Sequence, residues 1–153
     1  MTKLAVGSVA PDINANDHNG KPFSLKALQG KKVILYFYPK DDTPGCTAEA
    51  CNFRDNYAAL KKKGFEVVGV SVDDEKKHQK FITKYELPFT LIADTDKKVV
   101  EDYGVWGLKK FMGREYMGTN RVTFVIGEDG KIEHIFDKVD TKNSTQQVLD
   151  VLS

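Results

Sequence analysis

The chain of 153 residues has only two cysteines, and both lie in the segment "TPGCTAEAC" at residues 43–51. A cysteine thiolate can attack as a nucleophile, bind a metal or exchange with a disulfide. The segment opens with Thr43 and Pro44, which are favoured at the cap and at the first position of a helix. Cys46 then falls at the third helical position. There the helix dipole and backbone N–H groups without intrahelical acceptors both favour thiolate over thiol. This pattern marks Cys46 as a candidate nucleophile.

The predicted helix points the two sulfurs in different directions. An apolar stripe with spacings of 4, 3, 4 and 3 residues should face the sheet, and it consists of Cys46, Ala50, Phe53, Tyr57 and Leu60. Cys51 lies about 140° around the helix from Cys46, with the two Cα atoms about 8.7 Å apart. A disulfide needs a Cα separation of about 4.4–6.8 Å. A bond between these cysteines therefore requires at least one helical turn to unwind.

Other roles for the two cysteines must be weighed. Cys51 taken alone could equally be a small buried apolar side chain. A dithiol reductase would need Cys-x-x-Cys, which is absent. The histidines, His18, His78 and His134, fall on three different predicted elements, so we expect ordinary surface or strand residues and no metal site. The sequence calls for no cofactor.

Composition limits the class of protein. Hydrophobic residues make up 41% and charged residues 29% of the chain, which is typical of a globular protein. The net charge of +1 argues against broad capture of nucleic acid or of an anionic membrane, and no apolar stretch approaches the ~20 residues of a membrane span. We expect a cytoplasmic protein with one domain over residues 1–153. In a reducing compartment a cysteine pair indicates redox or metal chemistry more than a structural bridge.

The order of apolar segments predicts the elements that position Cys46. They are a hairpin in 10–25, a buried strand in 33–38, a helix at 44–62, a strand at 65–72, a helix at 73–87 capped by Asp73 or Asp74, a strand at 89–94, a short helix at 96–103, a hairpin in 122–136 and a final helix starting near Ser144 or Thr145. We read 104–120 as a loop. The order predicts a thioredoxin-like α/β fold, with a central mixed sheet flanked by helices and an N-terminal β-hairpin. Flavodoxin-like folds begin in the same way and stay open as an alternative.

Three segments resemble a known family. "YPKDDTPGCTAEACNFRD" contains Pro39-x-x-x-Thr43-x-x-Cys46, which resembles the active-site signature of peroxiredoxins. The second cysteine five residues later is similar to the bacterioferritin comigratory protein branch, also called peroxiredoxin Q. The similarity continues in "GVWGLKKFMGREYMGTNRVTFVIGEDGKI" and in the N-terminal "VGSVAPDINANDHNGKPFSL". It thus covers nearly the whole chain.

The resemblance implies a thioredoxin-fold peroxidase that reduces hydrogen peroxide and organic hydroperoxides. It makes Cys46 the peroxidatic cysteine, which attacks the peroxide and becomes a sulfenic acid. It makes Cys51 the resolving cysteine, which forms an intramolecular disulfide before further oxidation can inactivate the enzyme. It also implies that Thr43 hydrogen-bonds the thiolate and the peroxide oxygen, and that Pro39 shields the sulfur from water.

A cation beside Cys46 is expected because Asp41 and Asp42 oppose a thiolate. Only three of the 23 basic residues are arginines, and of these Arg121 alone directly precedes a predicted core strand. The resemblance assigns the same residue, whose planar fork could hold the sulfur and a peroxide oxygen together. We expect Arg54 to make only a surface ion pair. Glu49 also matches the pattern of this branch, and we expect it to support the site from behind the reacting groups.

The resemblance also indicates the partners. An external dithiol must reduce the disulfide, and we expect a thioredoxin-type protein, with glutaredoxin or another thiol as alternatives. Both cysteines lie in one chain, so we expect a monomer or at most a weak dimer. The apolar residues of 104–120 could shape a peroxide pocket, cover the sulfur, form a weak dimer contact or simply pack. The competing function is a non-enzymatic peroxide sensor or holdase-type module, in which oxidation only opens the helix.

Overall fold

The computed structural model describes residues 4–152, without the side chain of residue 152. Its strands are β1 (Asn14–Asp17), β2 (Pro22–Ser24), β3 (Lys32–Phe37), β4 (Phe65–Ser71), β5 (Thr90–Ala93), β6 (Trp106–Phe111), β7 (Arg114–Thr119), β8 (Val122–Ile126) and β9 (Ile132–Phe136). Its α-helices are α1 (Pro44–Lys62), α2 (Glu75–Tyr85), α3 (Lys98–Asp102) and α4 (Ser144–Leu152), and a 3₁₀ turn covers Leu25–Leu28. Apart from the segment 104–120, the predicted elements are present with small shifts at their ends.

Seven strands form one mixed sheet in the order β2-β1-β5-β4-β3-β8-β9. Strands β3, β4 and β5 are parallel, whereas β8 lies antiparallel to β3 and β9 antiparallel to β8. The βαβ unit β3-α1-β4 and the ββα unit β8-β9-α4 make the thioredoxin-like arrangement, with β1 and β2 as the extra hairpin. The prediction of a thioredoxin-like fold is confirmed. The antiparallel β8 beside β3 distinguishes it from the flavodoxin-like alternative.

Strand β3 is buried on both faces, which explains its unbroken apolar sequence. Val33, Leu35 and Phe37 pack into a core on the α3 side of the sheet. Ile34, Tyr36 and the following Tyr38 pack into a second core beneath α1, α2 and α4. The end of β3 and the start of α1 therefore meet at the carboxyl edge of the sheet. Parallel α/β sheets commonly form sites at this edge.

Helix α2 is shorter than the sequence predicts. Asp74 is its N-cap, and its carboxylate accepts a hydrogen bond from the Lys77 backbone N–H. Glu86 ends the helix because it adopts a left-handed conformation with φ of 52°. The predicted range 73–87 thus loses two residues at each end. Asp74, rather than Asp73, is the cap.

The segment 104–120 is not a loop, which corrects the sequence interpretation. Strands β6 and β7 pair over this segment as an antiparallel hairpin, separate from the main sheet. Met112 and Gly113 turn the chain with φ of 51° and 78°. Two successive residues with positive φ match the right-handed twist of hairpin strands. Both faces of the hairpin carry exposed residues, so the strands lack the alternation from which a sequence predicts them.

Candidate active site

The site lies where β3 ends and α1 begins. Cys46 is 1% exposed and faces the sheet, together with Ala50, Phe53 and Leu60 of the predicted stripe. Cys51 is half-buried, and both thiols are free. The helical arrangement expected for the two cysteines is confirmed. Their helix is intact in this reduced state, so the two sulfurs stand on different faces of it.

Arg121 brings a cation to the buried sulfur. It directly precedes β8, the antiparallel neighbour of β3, and its Nη2 lies 3.3 Å from Cys46 Sγ. Nη1 donates to Glu49 Oε1 at 2.9 Å, so one guanidinium joins the sulfur and the carboxylate. A Cβ atom on Gly45 would lie 3.1 Å from Nη2. Glycine at position 45 therefore leaves room for the guanidinium at the start of α1.

The electrostatics of this group follow from burial and proximity. Burial acts against the charge on Arg121, but neighbouring Cys46 and Glu49 outweigh it and raise the pKa of Arg121. The Arg121 side chain is 23% exposed, which leaves it open to solvent on one side. A permanently charged, partly exposed fork beside a buried sulfur is suited to an incoming oxygen that gains negative charge.

Glu49 is more deeply buried than the sequence suggested. Its side chain is 0% exposed, and among the described residues Oε2 has no hydrogen-bond partner. Burial raises the pKa of Glu49 to about 7, although the charge of Arg121 and its hydrogen bond act in the opposite direction. A carboxyl group in this state can hold Arg121 and can exchange a proton near neutral pH.

Thr43 and Pro39, the other two residues of the motif, lie on the segment between β3 and α1. Thr43 is the N-cap of α1 by position, but its hydroxyl makes no capping hydrogen bond. The hydroxyl instead donates to the Lys40 carbonyl at 2.9 Å, so its proton is directed away from Cys46. The hydroxyl oxygen keeps lone pairs that can accept a hydrogen bond. Pro39 is half-buried just beyond β3.

The two aspartates before Thr43 are each held by partners of their own. Asp41 accepts hydrogen bonds from Tyr38 Oη at 2.6 Å and from His78 Nδ1 at 2.6 Å. Asp42 accepts from Lys84 Nζ and Tyr85 Oη, both at 2.8 Å. These bonds, led by the one from Lys84, lower the pKa of Asp42. The repulsion that we expected Asp41 and Asp42 to exert on a thiolate is thus reduced by their partners.

His78 is not the ordinary surface or strand residue that we expected. It lies on α2, is 0% exposed and bonds to Asp41. The sequence carried a signal that could have found it, because His78 falls on the helix face of Phe81, Ile82 and Tyr85. Glu49 carried a similar signal, since it follows Cys46 by three residues and shares its helix face. Sequence reasoning treated His78 as ordinary and left the burial of Glu49 unrecognised.

Two further cations lie around the site. Arg54 makes the expected ion pair with Asp55 at 3.0 Å and also donates to the Tyr85 carbonyl, but it does not reach Cys46. Lys109 lies on β6 with its Nζ 3.0 Å from the Thr119 carbonyl. Burial and the neighbouring Arg121 lower the pKa of Lys109. The hairpin thus brings a second basic side chain towards Arg121.

Residues 4–152 contain no group of three or more His, Cys, Asp or Glu side chains that could hold a metal ion. Within the same range no helix combines the length and the apolar character needed to cross a bilayer. The chemical groups gathered at the site are therefore a buried thiol, an arginine, a buried carboxyl group and a hydroxyl.

Known proteins are similar to this chain in fold and in sequence. Residues 6–135 match the AhpC/TSA family. Peroxiredoxin Bcp of Escherichia coli K12 is 47% identical over 152 residues, covering 99% of this chain and 97% of that protein. Peroxiredoxin Bcp of Bacillus subtilis 168 is 42% identical over 149 residues, covering 97% and 95%. A structure of the bacterioferritin comigratory protein of Xanthomonas campestris, studied for its alkyl peroxide reduction activity, has a TM-score of 0.89 at 30% identity, covering 99% and 97%.

Proposed function

The chain belongs to the AhpC/TSA family and is a thiol-dependent peroxidase of the peroxiredoxin type, and we propose that Cys46 attacks the peroxide and that Cys51 resolves the product. The observation that carries the proposal is the contact of Arg121 Nη2 with Cys46 Sγ at 3.3 Å. It places the guanidinium of the residue just before β8 against the sulfur at the start of α1. Within residues 4–152 no guanidinium donates a hydrogen bond to Cys51, which interacts with Arg54 only electrostatically, and this supports the division of roles.

The first step is a displacement on oxygen. The Cys46 thiolate forms an S–O bond with one peroxide oxygen while the O–O bond breaks, and the second oxygen leaves as alkoxide or hydroxide that takes up a proton. Arg121 is placed to stabilise both the sulfur and the developing negative charge. We propose that Thr43 Oγ accepts a hydrogen bond from the peroxide O–H while its own O–H donates to the Lys40 carbonyl. Pro39 is the residue that we propose to shield the sulfur from water.

Glu49 contributes by holding Arg121 in position. The bond from Nη1 to Glu49 Oε1 fixes the plane of the guanidinium, so that Nη2 points at Cys46. Arginine is suited to this because its nitrogens are in a rigid planar fork. Loss of this bond would leave the guanidinium free to turn towards solvent.

The second step joins the two cysteines. The Cys51 thiolate attacks the sulfur of the Cys46 sulfenic acid, an S–S bond forms, and hydroxide leaves as water after protonation. With Cα atoms about 8.7 Å apart in an intact helix, this step requires the first turns of α1 to unwind. Both cysteines belong to one chain, so turnover needs no partner subunit, and we propose a monomer acting as one domain over residues 1–153.

The third step returns both thiols. Two electrons and two protons must come from an external thiol reductant, because both cysteines of the chain are in the disulfide. We propose a thioredoxin-type dithiol, and a reducing compartment such as the cytoplasm, where cysteines stay free between cycles. The proposed substrates are hydrogen peroxide and organic hydroperoxides. The similarity to a protein studied for alkyl peroxide reduction supports the organic substrates.

A steady-state peroxide assay with thioredoxin, its reductase and NADPH tests the proposal. The wild-type protein should turn over many equivalents of peroxide. Cys46→Ser should lose all turnover, and Cys51→Ser should consume one equivalent per chain and then stop. Glutaredoxin replaces thioredoxin in a parallel assay to identify the reductant. Stoichiometric oxidation without recycling in the wild type, accompanied by exposed apolar surface, would instead support the sensor or holdase function.

A further inference from the structure

His78 is a buried side chain whose two ring nitrogens both face hydrogen-bond acceptors. Nε2 lies 2.8 Å from the Ile92 carbonyl oxygen, and Nδ1 lies 2.6 Å from Asp41 Oδ2. A carbonyl oxygen can only accept, so Nε2 must carry a proton. The Asp41 carboxylate accepts a second hydrogen bond, from Nδ1. This arrangement is that of an imidazolium, which donates from both nitrogens.

The groups around His78 support its positive charge. Asp41 and Asp73 are the carboxylates that face it, and Tyr38 donates to the far oxygen of Asp41. Burial lowers the pKa of His78, but the hydrogen bond and charge of Asp41, with smaller help from Asp73, raise it above the ordinary value. Asp41 therefore holds His78 directly between α2 and the sheet, and Asp73 contributes at a greater distance.

His18 and Lys77 are further titratable groups near this cluster, with Lys77 Nζ 3.9 Å from Asp73 Oδ1. Its Nδ1 accepts a hydrogen bond from the Leu91 backbone N–H at 3.4 Å, which requires that nitrogen to be unprotonated. Burial lowers the pKa of His18, the charge of Asp17 acts in the opposite direction, and the charge of His78 adds to the lowering. A charged His78 therefore favours the neutral form of His18. The two histidines do not compete for the same proton.

His78 and Asp73 both bond to Asp41, and Asp41 belongs to the loop 39–43 that precedes Cys46. The Asp41 backbone N–H donates to Asp73 Oδ2 at 2.8 Å, while its side chain is bonded to His78. Asp42 adopts a left-handed conformation with φ of 58° and is bonded to the end of α2. Asp41 is thus fixed through both its backbone and its carboxylate, two residues before the cap of α1.

We infer that His78 is a positioning residue of the peroxidase reaction: as an imidazolium it holds Asp41, and through Asp41 the loop that carries Pro39 and Thr43, against α2. The inference rests on the proposed function of Cys46. His78 itself touches neither the sulfur nor the space for the peroxide. Its effect passes through Asp41 to the residues that cover Cys46.

The two chemical steps should respond differently to loss of this anchor. Oxidation of Cys46 needs Thr43 and Pro39 in place, so a loosened loop should slow it. Disulfide formation needs the start of α1 to unwind, so a loosened loop should leave it unchanged or speed it. A residue that contributed only to overall stability would change neither rate in the folded protein at low temperature.

The charge state can be measured directly in the wild-type protein. Long-range ¹H–¹⁵N spectra of the reduced protein at pH 7 distinguish an imidazolium, with protons on both nitrogens, from either neutral tautomer. We expect both nitrogens of His78 to carry protons. A neutral ring with a bare Nδ1 would overturn the inference. This outcome does not depend on peroxidase activity, so it is separable from failure of the proposed function.

Stopped-flow kinetics test the effect on the reaction. His78→Gln and Asp41→Asn should each slow Cys46 oxidation about tenfold, as expected for loss of a buried charge-assisted hydrogen bond. Neither should slow disulfide formation, and the double variant should be no slower than the single ones because both remove the same contact. His134→Gln, on β9 at the far edge of the sheet, is the matched control and should match the wild type. Equal slowing of both steps, or no change in oxidation, would overturn the inference.

Discussion

Residues 44–51 and residues 52–62 belong to one helix, α1, yet their side chains are held in different ways. The front half contains Gly45, whose helix propensity is low. It also buries Thr47 Oγ1 and Glu49 Oε2, which have no hydrogen-bond partner among the described residues. Unpaired buried polar atoms reduce the stability of the segment that holds them.

The back half of α1 is fastened to its surroundings. Phe53 and Leu60 are 0% exposed in the core beneath the helix. Asn52 Oδ1 accepts from the Thr145 backbone N–H at 2.9 Å, which joins α1 to the start of α4, and Tyr57 Oη donates to Glu66 at 2.6 Å. Lysines in the last turn also suit the negative end of the helix dipole. The comparison indicates a helix whose front can unwind while its back stays folded.

The largest expected effect comes from Arg121, which contacts Cys46 and Glu49 in the front half of α1. Arg121→Met should slow single-turnover oxidation of Cys46 by about 10²–10³-fold, because a preorganised charge at the reacting atoms is lost. Arg121→Lys should recover only part of the rate, since an ammonium cannot bond to Cys46 and Glu49 as a planar fork does. Arg54→Lys, which alters the arginine of the back half, is the control. Equal rates for all three variants would contradict the assignment of Arg121.

The next effect is a pH dependence of stability that originates in the front half. The pKa of Glu49 is about 7 when folded, against 4.5 as its ordinary value, so between these values the folded state binds more protons than the unfolded state. The free energy of unfolding should therefore fall as pH rises through this window, by about 3 kcal/mol from this group. Glu49→Gln should flatten that slope in urea melts.

The control for this pH prediction is Glu115→Gln, on the exposed face of β7. It should leave the slope of stability against pH as it is in the wild type. If Glu49→Gln kept the full slope, Glu49 would not be the buried group that takes up a proton on folding.

A smaller effect is expected where the back half meets α4. Asn52→Ala removes the bond to the Thr145 N–H and the bond from Nδ2 to the Lys142 carbonyl at 2.9 Å. Loss of one part-buried and one exposed hydrogen bond at the start of α4 should lower the free energy of unfolding by about 1–2 kcal/mol. Asn56→Ala, whose amide bonds only within α1, should cost less. Oxidation of Cys46 should be unchanged in both, as measured by stopped flow.

The smallest effect compares the two halves most closely. Ala48→Gly and Ala59→Gly each weaken α1 by about 1 kcal/mol in helix propensity. If only the front unwinds before the cysteines join, Ala48→Gly should speed disulfide formation about fivefold, since 1 kcal/mol corresponds to that factor. Ala59→Gly should leave that rate unchanged. Equal acceleration by both would show that the whole helix unfolds.

Much of this site could be predicted from the sequence, because its main signals are local. The reactive thiol could be assigned to a helix start from Thr43, Pro44 and the apolar stripe that begins at Cys46. Arg121 could be identified because it is the one arginine that directly precedes a predicted core strand. The order of the apolar segments predicted the fold class but left the flavodoxin-like alternative open. The family resemblance supplied the roles of Pro39, Cys51 and Glu49, which spacing alone does not assign.

What the sequence did not reveal depends on contacts between distant segments. The pair of Asp41 and His78 joins residues 37 positions apart. The hairpin at Trp106–Thr119 lacks a buried face, so its strands have no period-two pattern to detect. The ion pair of Glu49 is made with Arg121, which lies 72 positions away just before β8. Each of these features arises only when separate elements pack together.

Amide hydrogen exchange in the reduced protein and in the protein oxidised by one equivalent of peroxide tests the central claim most directly. The account predicts a Cys46–Cys51 disulfide in the oxidised form, with amides in peptides covering 44–52 losing protection and those covering 56–62 keeping it. Protection that is unchanged along all of α1, with the two sulfurs left unjoined, would contradict it.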